Sequence, residues 1–284
     1  MLLEIKNINK FYGDNHVLKD VSFTASSSRT LGLLGRNGHG KTTCMKIIMG
    51  IIYGDSGEVL LNGAPLKNSG VKLGYLPEER GLYQKVQILE QMVYFGKLRG
   101  MSAAAARASA AGLLEKLGMT EYTKKKADSL SKGNQQKIQL GIALLNDPDI
   151  IILDEPFSGL DPVNSKILQN LILESVEKSK LIIFSSHQMA QVEEFCQDVC
   201  LIKHGEVKLT GNLREIKNSY PKDKILVITE AGEELKMDAP QDGDLSQIIA
   251  EFRQKGVGIE SISVLKPSLL EIFLEKVGEG DEGA

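Results

Sequence analysis

The sequence predicts an α/β protein whose core is a largely parallel sheet covered by helices on both faces. Three observations predict it. Short all-apolar runs occur in "TLGLLG" (30–35), "DIIILDEP" (149–156) and "KLIIFSS" (180–186), and such runs read as strands buried on both faces. Helical patterns lie between them, which calls for crossover connections and a parallel sheet. The character then changes after Gly211, where a charged segment begins. At 284 residues the chain suits one domain near 200 residues with a smaller appendage.

The elements follow in order. Residues 2–8 alternate and "VSFTA" follows at 21–25; both read as strands of a half-buried antiparallel sheet. "TLGLLG" is a buried strand entering a glycine-rich loop. "SGEVLLNGAPL" (56–66) reads as a hairpin turning at Asn62-Gly63. From about 86 to 145 the pattern is helical, and "AAAARASAAGLLEKLG" has strong helix formers with a stop at Gly118. "VCLIKHGEVKLTG" (199–211) reads as a closing strand pair. Beyond it come one strand at 224–229 and two amphipathic helices, "DLSQIIAEFRQKG" and "SLLEIFLEKV". The expected division is a domain over 1–211, an α+β appendage over 212–277 and a disordered tail, "GEGDEGA", over 278–284.

Composition narrows the function. A net charge of −3 lacks the general basic footprint of a nucleic-acid binder. Cys44, Cys196 and Cys200 form no CxxC pair, and their odd number argues against a disulfide framework, so a reducing cytosol is expected. No signal-peptide pattern is read in residues 1–30, and no apolar run approaches the roughly 18 residues of a spanning helix.

The chemistry is concentrated in "GRNGHGKTT": Gly35, Arg36, Asn37, Gly38, His39, Gly40, Lys41, Thr42 and Thr43. The first eight fit GxxxxGK[ST] after a strand and before a helix, the context that gives this motif its meaning. Glycines let successive backbone N–H groups curl around phosphate oxygens, and the helix start adds its dipole. Lys41 brings charge to the outer phosphates, and the Thr42 hydroxyl is placed for Mg²⁺. The helix that follows is expected to bury Met45, Ile48 and Met49. The loop is thus read as a nucleoside triphosphate site.

A second cluster is "IIILDEPFSGLDP". Asp154 and Glu155 emerge at the carboxyl end of a buried strand, where open α/β sheets bind ligands. Asp154 is expected to hold Mg²⁺ through water, and Glu155 to orient or deprotonate the attacking water. An acid pair that merely ends a strand is the bland alternative. His187 follows the next apolar strand, in "LIIFSSHQM", and is expected beside the γ-phosphate.

These motifs together, with "LSKGNQQKIQLGIALLNDPDIIILDEPFSGLDP", resemble ABC transporter ATPases over about residues 2–211. The resemblance implies an ATPase with a nucleotide-binding core, an N-terminal antiparallel β subdomain and a helical signature subdomain. It assigns Ser131, Lys132, Gly133 and Asn134 to the signature that serves a partner's ATP, with Lys132 and Asn134 departing from the family's LSGGQ. Independently of it, Ser131 reads as a helix N-cap and the helix start as an anion site. Tyr12 matches the aromatic that stacks on adenine, Val17 packs beside the same nucleotide, and Asp161 falls in the D-loop. Glu78 stands where the family has a glutamine, and is either a ligand on the Mg²⁺ side or a solvated loop acid.

The resemblance further implies ATP and Mg²⁺ as cofactors, a second ATPase subunit, identical or homologous, and a separate membrane permease. The chain is then expected at the inner face of the cell membrane, held there by the permease. Details such as "YLPEERGLY" and "LSKGN" resemble export subunits for sodium or drugs, with Tyr83, Tyr94 and Phe95 as candidate docking aromatics and Phe95 equally readable as core. The rival reading is a soluble ATPase of the same class acting on nucleic acid or ribosomes. Against it, the chain has one ATPase module and no inserted coiled coil or zinc module.

Overall fold

The computed structural model describes residues 1–79, 81–220, 224–240 and 244–277. Two compact units divide the chain, Met1–Gly211 and the residues after it. The tail expected at 278–284 lies outside the described residues.

The first unit opens with β1 (Leu2–Tyr12), β2 (Asn15–Ser26), β3 (Thr30–Leu34), α1 (Lys41–Ile48), β4 (Ser56–Leu61) and β5 (Ala64–Pro65). It continues with β6 (Leu73–Leu76), α2 (Ile88–Leu98), α3 (Ala103–Lys116), α4 (Lys132–Leu144) and β7 (Ile150–Leu153). Next come α5 (Pro162–Glu177), β8 (Leu181–Ser186), α6 (Met189–Phe195), β9 (Asp198–Lys203) and β10 (Glu206–Asn212). One sheet has the order β2-β1-β4-β5 and is antiparallel; the other has the order β10-β9-β3-β8-β7-β6. In the second sheet β9, β3, β8, β7 and β6 run parallel. Leu3, Ile5, Leu18 and Phe23 of the first sheet join Leu33, Ile152 and Ile183 of the second in one core, with Cys44, Met45 and Ile48 of α1. Met49 is only half-buried.

β1 and β2 are longer than the expected 2–8 and 21–25. The pairing shifts register between Ile5 and Ile8 and again before Phe11, and Asn7 and Asp20 both have φ near +49°. Each bulge moves the following side chains to the other face, so the alternation that marks a strand fades although the ladder continues. β6 was not legible as a strand. It is a four-residue edge strand that, among the described residues, pairs with β7 alone. Gly74 has a contact reason: a Cβ there would sit 2.5 Å from the Ala143 carbonyl oxygen. The missing side chain lets the backbone of α4 lie on the sheet.

The helical block is fastened at the end of α4. The Arg99 guanidinium donates to the carbonyls of Ile142 and Ala143, and the Ser109 hydroxyl donates to that of Leu145 at 2.6 Å. These donors supplement the last turn of α4, where carbonyls run short of helical N–H partners and the Ile142 carbonyl also accepts the Leu145 N–H at 3.4 Å. Cys44, Cys196 and Cys200 are free and buried; burial pushes the Cys44 thiol up to about 12, which keeps it un-ionised and inert.

The second unit contains α7 (Leu213–Ser219), β11 (Lys224–Thr229), β12 (Glu234–Asp238), α8 (Ser246–Gln254), β13 (Ile259–Leu265) and α9 (Leu269–Val277). Its antiparallel sheet has the order β12-β11-β13, and Ile225 and Val227 pack on Ile248 and Phe252 of α8. Only the central strand was expected, because β12 and β13 are mostly exposed, β12 alternates over just five residues, and β13 carries polar residues on both faces.

Replacing Gly74 with alanine is expected to destabilise the protein by about 2 kcal/mol, because backbone atoms must move to admit the methyl group. Urea unfolding checks this; an unchanged midpoint contradicts the close packing of β6 on α4.

Candidate active site

Parallel pairing sets the site. β8 lies between β3 and β7, with Leu34 opposite Ser186 and Leu153 opposite Phe184. The loop after β3, the acids after β7 and the end of β8 therefore meet at one carboxyl edge, where such sheets bind ligands. The loop turns into α1 at Gly40, whose φ is +103° and whose absent Cβ would lie 2.6 Å from Leu18. A side chain there would both strain the turn and strike the neighbouring strand.

A cavity of about 220 Å³ opens at this edge. Its walls are Val17, the loop residues Arg36, Asn37, Gly38, Gly40, Lys41, Thr42 and Thr43, and the acids Glu78, Asp154 and Glu155. Lys41 is buried, and its Nζ donates to the carbonyls of Gly35 at 2.7 Å and Arg36 at 3.2 Å. Burial lowers the Lys41 pKa, while the nearby charges of Glu155, Asp154 and Glu78 oppose that shift.

Asp154 is completely buried, and both its oxygens are engaged. Oδ1 accepts the Ser185 hydroxyl proton at 2.6 Å, and Oδ2 accepts that of Thr42 at 2.7 Å. Glu155 follows with φ +50°, a left-handed conformation that is costly for a residue with a Cβ. Its N–H donates to Ser185 Oγ at 2.9 Å, and its Oε2 lies 2.9 Å from His187 Nδ1. Its Oε1 is buried without a hydrogen-bond partner among the described residues, 4.0 Å from Lys41 Nζ. Burial raises the Glu155 pKa, with His187 and Lys41 acting against it. A buried carboxylate oxygen without a donor fits a group that is filled by a water or substrate proton.

The cavity's donors fit a hard divalent cation. Thr42 Oγ1, Asp154 and Glu78 offer only oxygen, and the first two lie within hydrogen-bond distance of each other. The loop fits a polyphosphate, with Lys41 and the first N–H groups of α1 at its base.

Other expected residues lie outside the cavity wall. Tyr12 is exposed, with Lys10 Nζ 5.6 Å from its ring centroid. The His39 ring turns away from the cavity toward His204, at 4.7 Å between centroids. Burial and the charge of His204 depress the His39 pKa. Ser131 caps α4 by accepting the Asn134 N–H at 3.3 Å, ahead of Lys132 and Gly133 in the first turn. Asp161 caps α5 by accepting the Asn164 N–H at 2.9 Å.

Sequence reasoning missed three residues here. Ser185 joins both acids, as described. Gln136 donates to the Pro156 carbonyl at 3.3 Å, and Gln139 to that of Glu79 at 3.2 Å, so α4 reaches the backbone beside both acidic segments. The available signal was polarity at buried positions: Ser185 sits in an apolar strand, and both glutamines are buried.

Comparison with known proteins shows the family. The family described as ABC transporter matches residues 18–158. An ABC transporter ATP-binding protein of Bacillus subtilis strain 168, YhaQ, is 36% identical over 98% of this chain and 99% of its own length. The Nod factor export ATP-binding protein I of Burkholderia orbicola is 34% identical over 72% of this chain and 68% of its own. A solved ATP-binding subunit of an ABC transporter superposes with a TM-score of 0.70 at 30% identity, over 77% of this chain and 92% of that one. The chain belongs to the ABC transporter family, as one of its ATP-binding and ATP-hydrolysing subunits.

Proposed function

We propose that this subunit powers export through a separate membrane permease, by closing with a second ATPase subunit over ATP and reopening after hydrolysis. The observation that carries the catalytic part is Glu155, whose one oxygen is held by His187 while the other is buried without a donor. That arrangement suits a carboxylate that orients a water and takes its proton. Lys41 and the amides of residues 38–43 bind the phosphates, and Tyr12 and Val17 sit at the nucleoside end. Thr42 and Asp154 would hold Mg²⁺, with Glu78 as a further oxygen donor. When bound, the ion supplies charge neutralisation on the phosphate oxygens.

The partner arrangement is inferred from surfaces. The first turn of α4, capped by Ser131, offers free N–H groups and the positive end of the helix to a second subunit's phosphates. Asp161 heads α5 in the segment that follows the acids. Tyr83, Tyr94 and Phe95 form a cluster with ring centroids 5.8–6.0 Å apart. The two tyrosines are about half exposed, and Phe95 is half-buried. This cluster, close in sequence to Glu78, is the proposed permease contact. No helix among the described residues is long and apolar enough to cross a membrane, so the permease would supply the path and hold the subunit at the inner face. Similarity to the Nod factor export protein supports export, and the transported substrate would be selected by the permease.

Three outcomes are expected. Glu155→Gln should lower ATP turnover about 100-fold or more while retaining ATP binding, and should trap a dimer in gel filtration. Normal hydrolysis by that variant rules out Glu155 as the base. The same variant reports on pH. The folded Glu155 pKa lies above the ordinary value of 4.5, so the folded state retains a proton that the unfolded chain releases as pH rises through that value. Stability is therefore lost as pH climbs through the window between the two pKa values, and remains lower at neutral pH. E155Q should melt at a higher temperature than the parent at neutral pH, and the gap should close at pH about 4. A gap that widens on acidification contradicts the assignment. Finally, Tyr83→Ala with Tyr94→Ala should leave hydrolysis by the isolated subunit intact and abolish co-purification with the permease.

A further inference from the structure

We infer that Ser185 is a positioning residue for ATP hydrolysis, one hydroxyl group fixing both the cation-side acid and the water-side acid. The inference rests on the roles proposed above for Asp154 and Glu155. Ser185 is completely buried on β8, and the register places it one step beyond the Leu153–Phe184 pair, beside Asp154. A hydroxyl has a single proton, and this one is given to Asp154 Oδ1 at 2.6 Å. One of its two lone pairs accepts the Glu155 N–H at 2.9 Å. The hydroxyl thus donates to one of the two consecutive acids of the site and accepts from the other.

Each contact has a separate consequence. The bond to Oδ1 fixes the rotation of the Asp154 carboxylate, which leaves Oδ2 turned to Thr42. The bond to the amide holds the backbone of Glu155 in its left-handed conformation, at φ +50°. An aliphatic side chain at 185 would bury that N–H without an acceptor and remove the hydrogen bond through which β8 supports this turn. His187, two residues further along, holds the other end of the same residue through Glu155 Oε2. The segment 185–187 therefore grips Glu155 at its amide and at its carboxylate. Ser186 between them faces elsewhere, accepting the Gln188 N–H at 3.0 Å and steadying the turn that carries His187.

A merely structural serine would affect folding and little else; a positioning serine affects chemistry and magnesium dependence. The test uses the full chain with Ser185→Ala and Ser185→Thr, each measured in three ways: steady-state ATP hydrolysis, magnesium half-saturation, and affinity for a fluorescent ATP analogue without magnesium. The alanine variant should lose at least about 30-fold in kcat, need about fivefold more magnesium, and keep its magnesium-free nucleotide affinity within about twofold. The threonine variant keeps the hydroxyl and should turn over at least about tenfold faster than the alanine variant. Equal turnover in the two variants, or an alanine variant with parental kcat and magnesium dependence, overturns the inference. Glu155→Gln in the same assay separates the two claims: if it is inactive while the alanine variant is normal, only the role of Ser185 fails. If Glu155→Gln remains active, the reading of the acids fails first.

Discussion

A fully buried Asp154 carboxylate is the constraint around which the first unit is organised. A charge without solvent is costly unless donors surround it. Here they come from two other segments, Thr42 at the start of α1 and Ser185 at the end of β8. The three groups are 112 and 31 residues apart along the chain, so only the sheet can bring them together. The parallel register of β3, β8 and β7 does so, and the apolar faces of the same strands supply the burial that makes the placement rigid. The phosphate loop, the acids and the histidine are consequences of one edge.

That edge also stores strain. Glu155 adopts a backbone conformation that its side chain disfavours, in a place where its carboxylate loses most of its water. Its raised pKa and its unpartnered Oε1 both follow from this burial. Lys41, 4.0 Å away, is drawn in the opposite direction by the same desolvation. Burial disfavours the charge on both groups, which suits the roles proposed for them, the lysine toward phosphate charge and the carboxylate toward a water proton. In the proposed mechanism, hydrolysis relies on preorganisation set by the fold before the substrate arrives.

Much of this was legible in the sequence where the signal is local. The glycine loop, the Asp154-Glu155 pair and the Ser131 cap are contiguous motifs whose spacing has a direct backbone meaning. Ser185 was not legible, because one serine in "LIIFSS" is ordinary and its partner lies 31 residues away; only register connects them. The His39 ring was equally hidden, since its neighbour His204 comes from the turn between β9 and β10. Bulges at Asn7 and Asp20 erased the alternation that would have extended β1 and β2. The small sheet of the second unit was largely missed because its outer strands are mostly exposed: the alternation of β12 lasts only five residues and β13 has polar residues on both faces.

The most direct test of the central claim is a crystal structure of the subunit with ATP and magnesium. The triphosphate is expected against the backbone N–H groups of residues 38–43 and Lys41, the ion beside Thr42 and Asp154, and Ser131 of a second copy on the γ-phosphate. A nucleotide bound away from this loop, or a γ-phosphate with no contact to the Asp154–Glu155 edge, would contradict it.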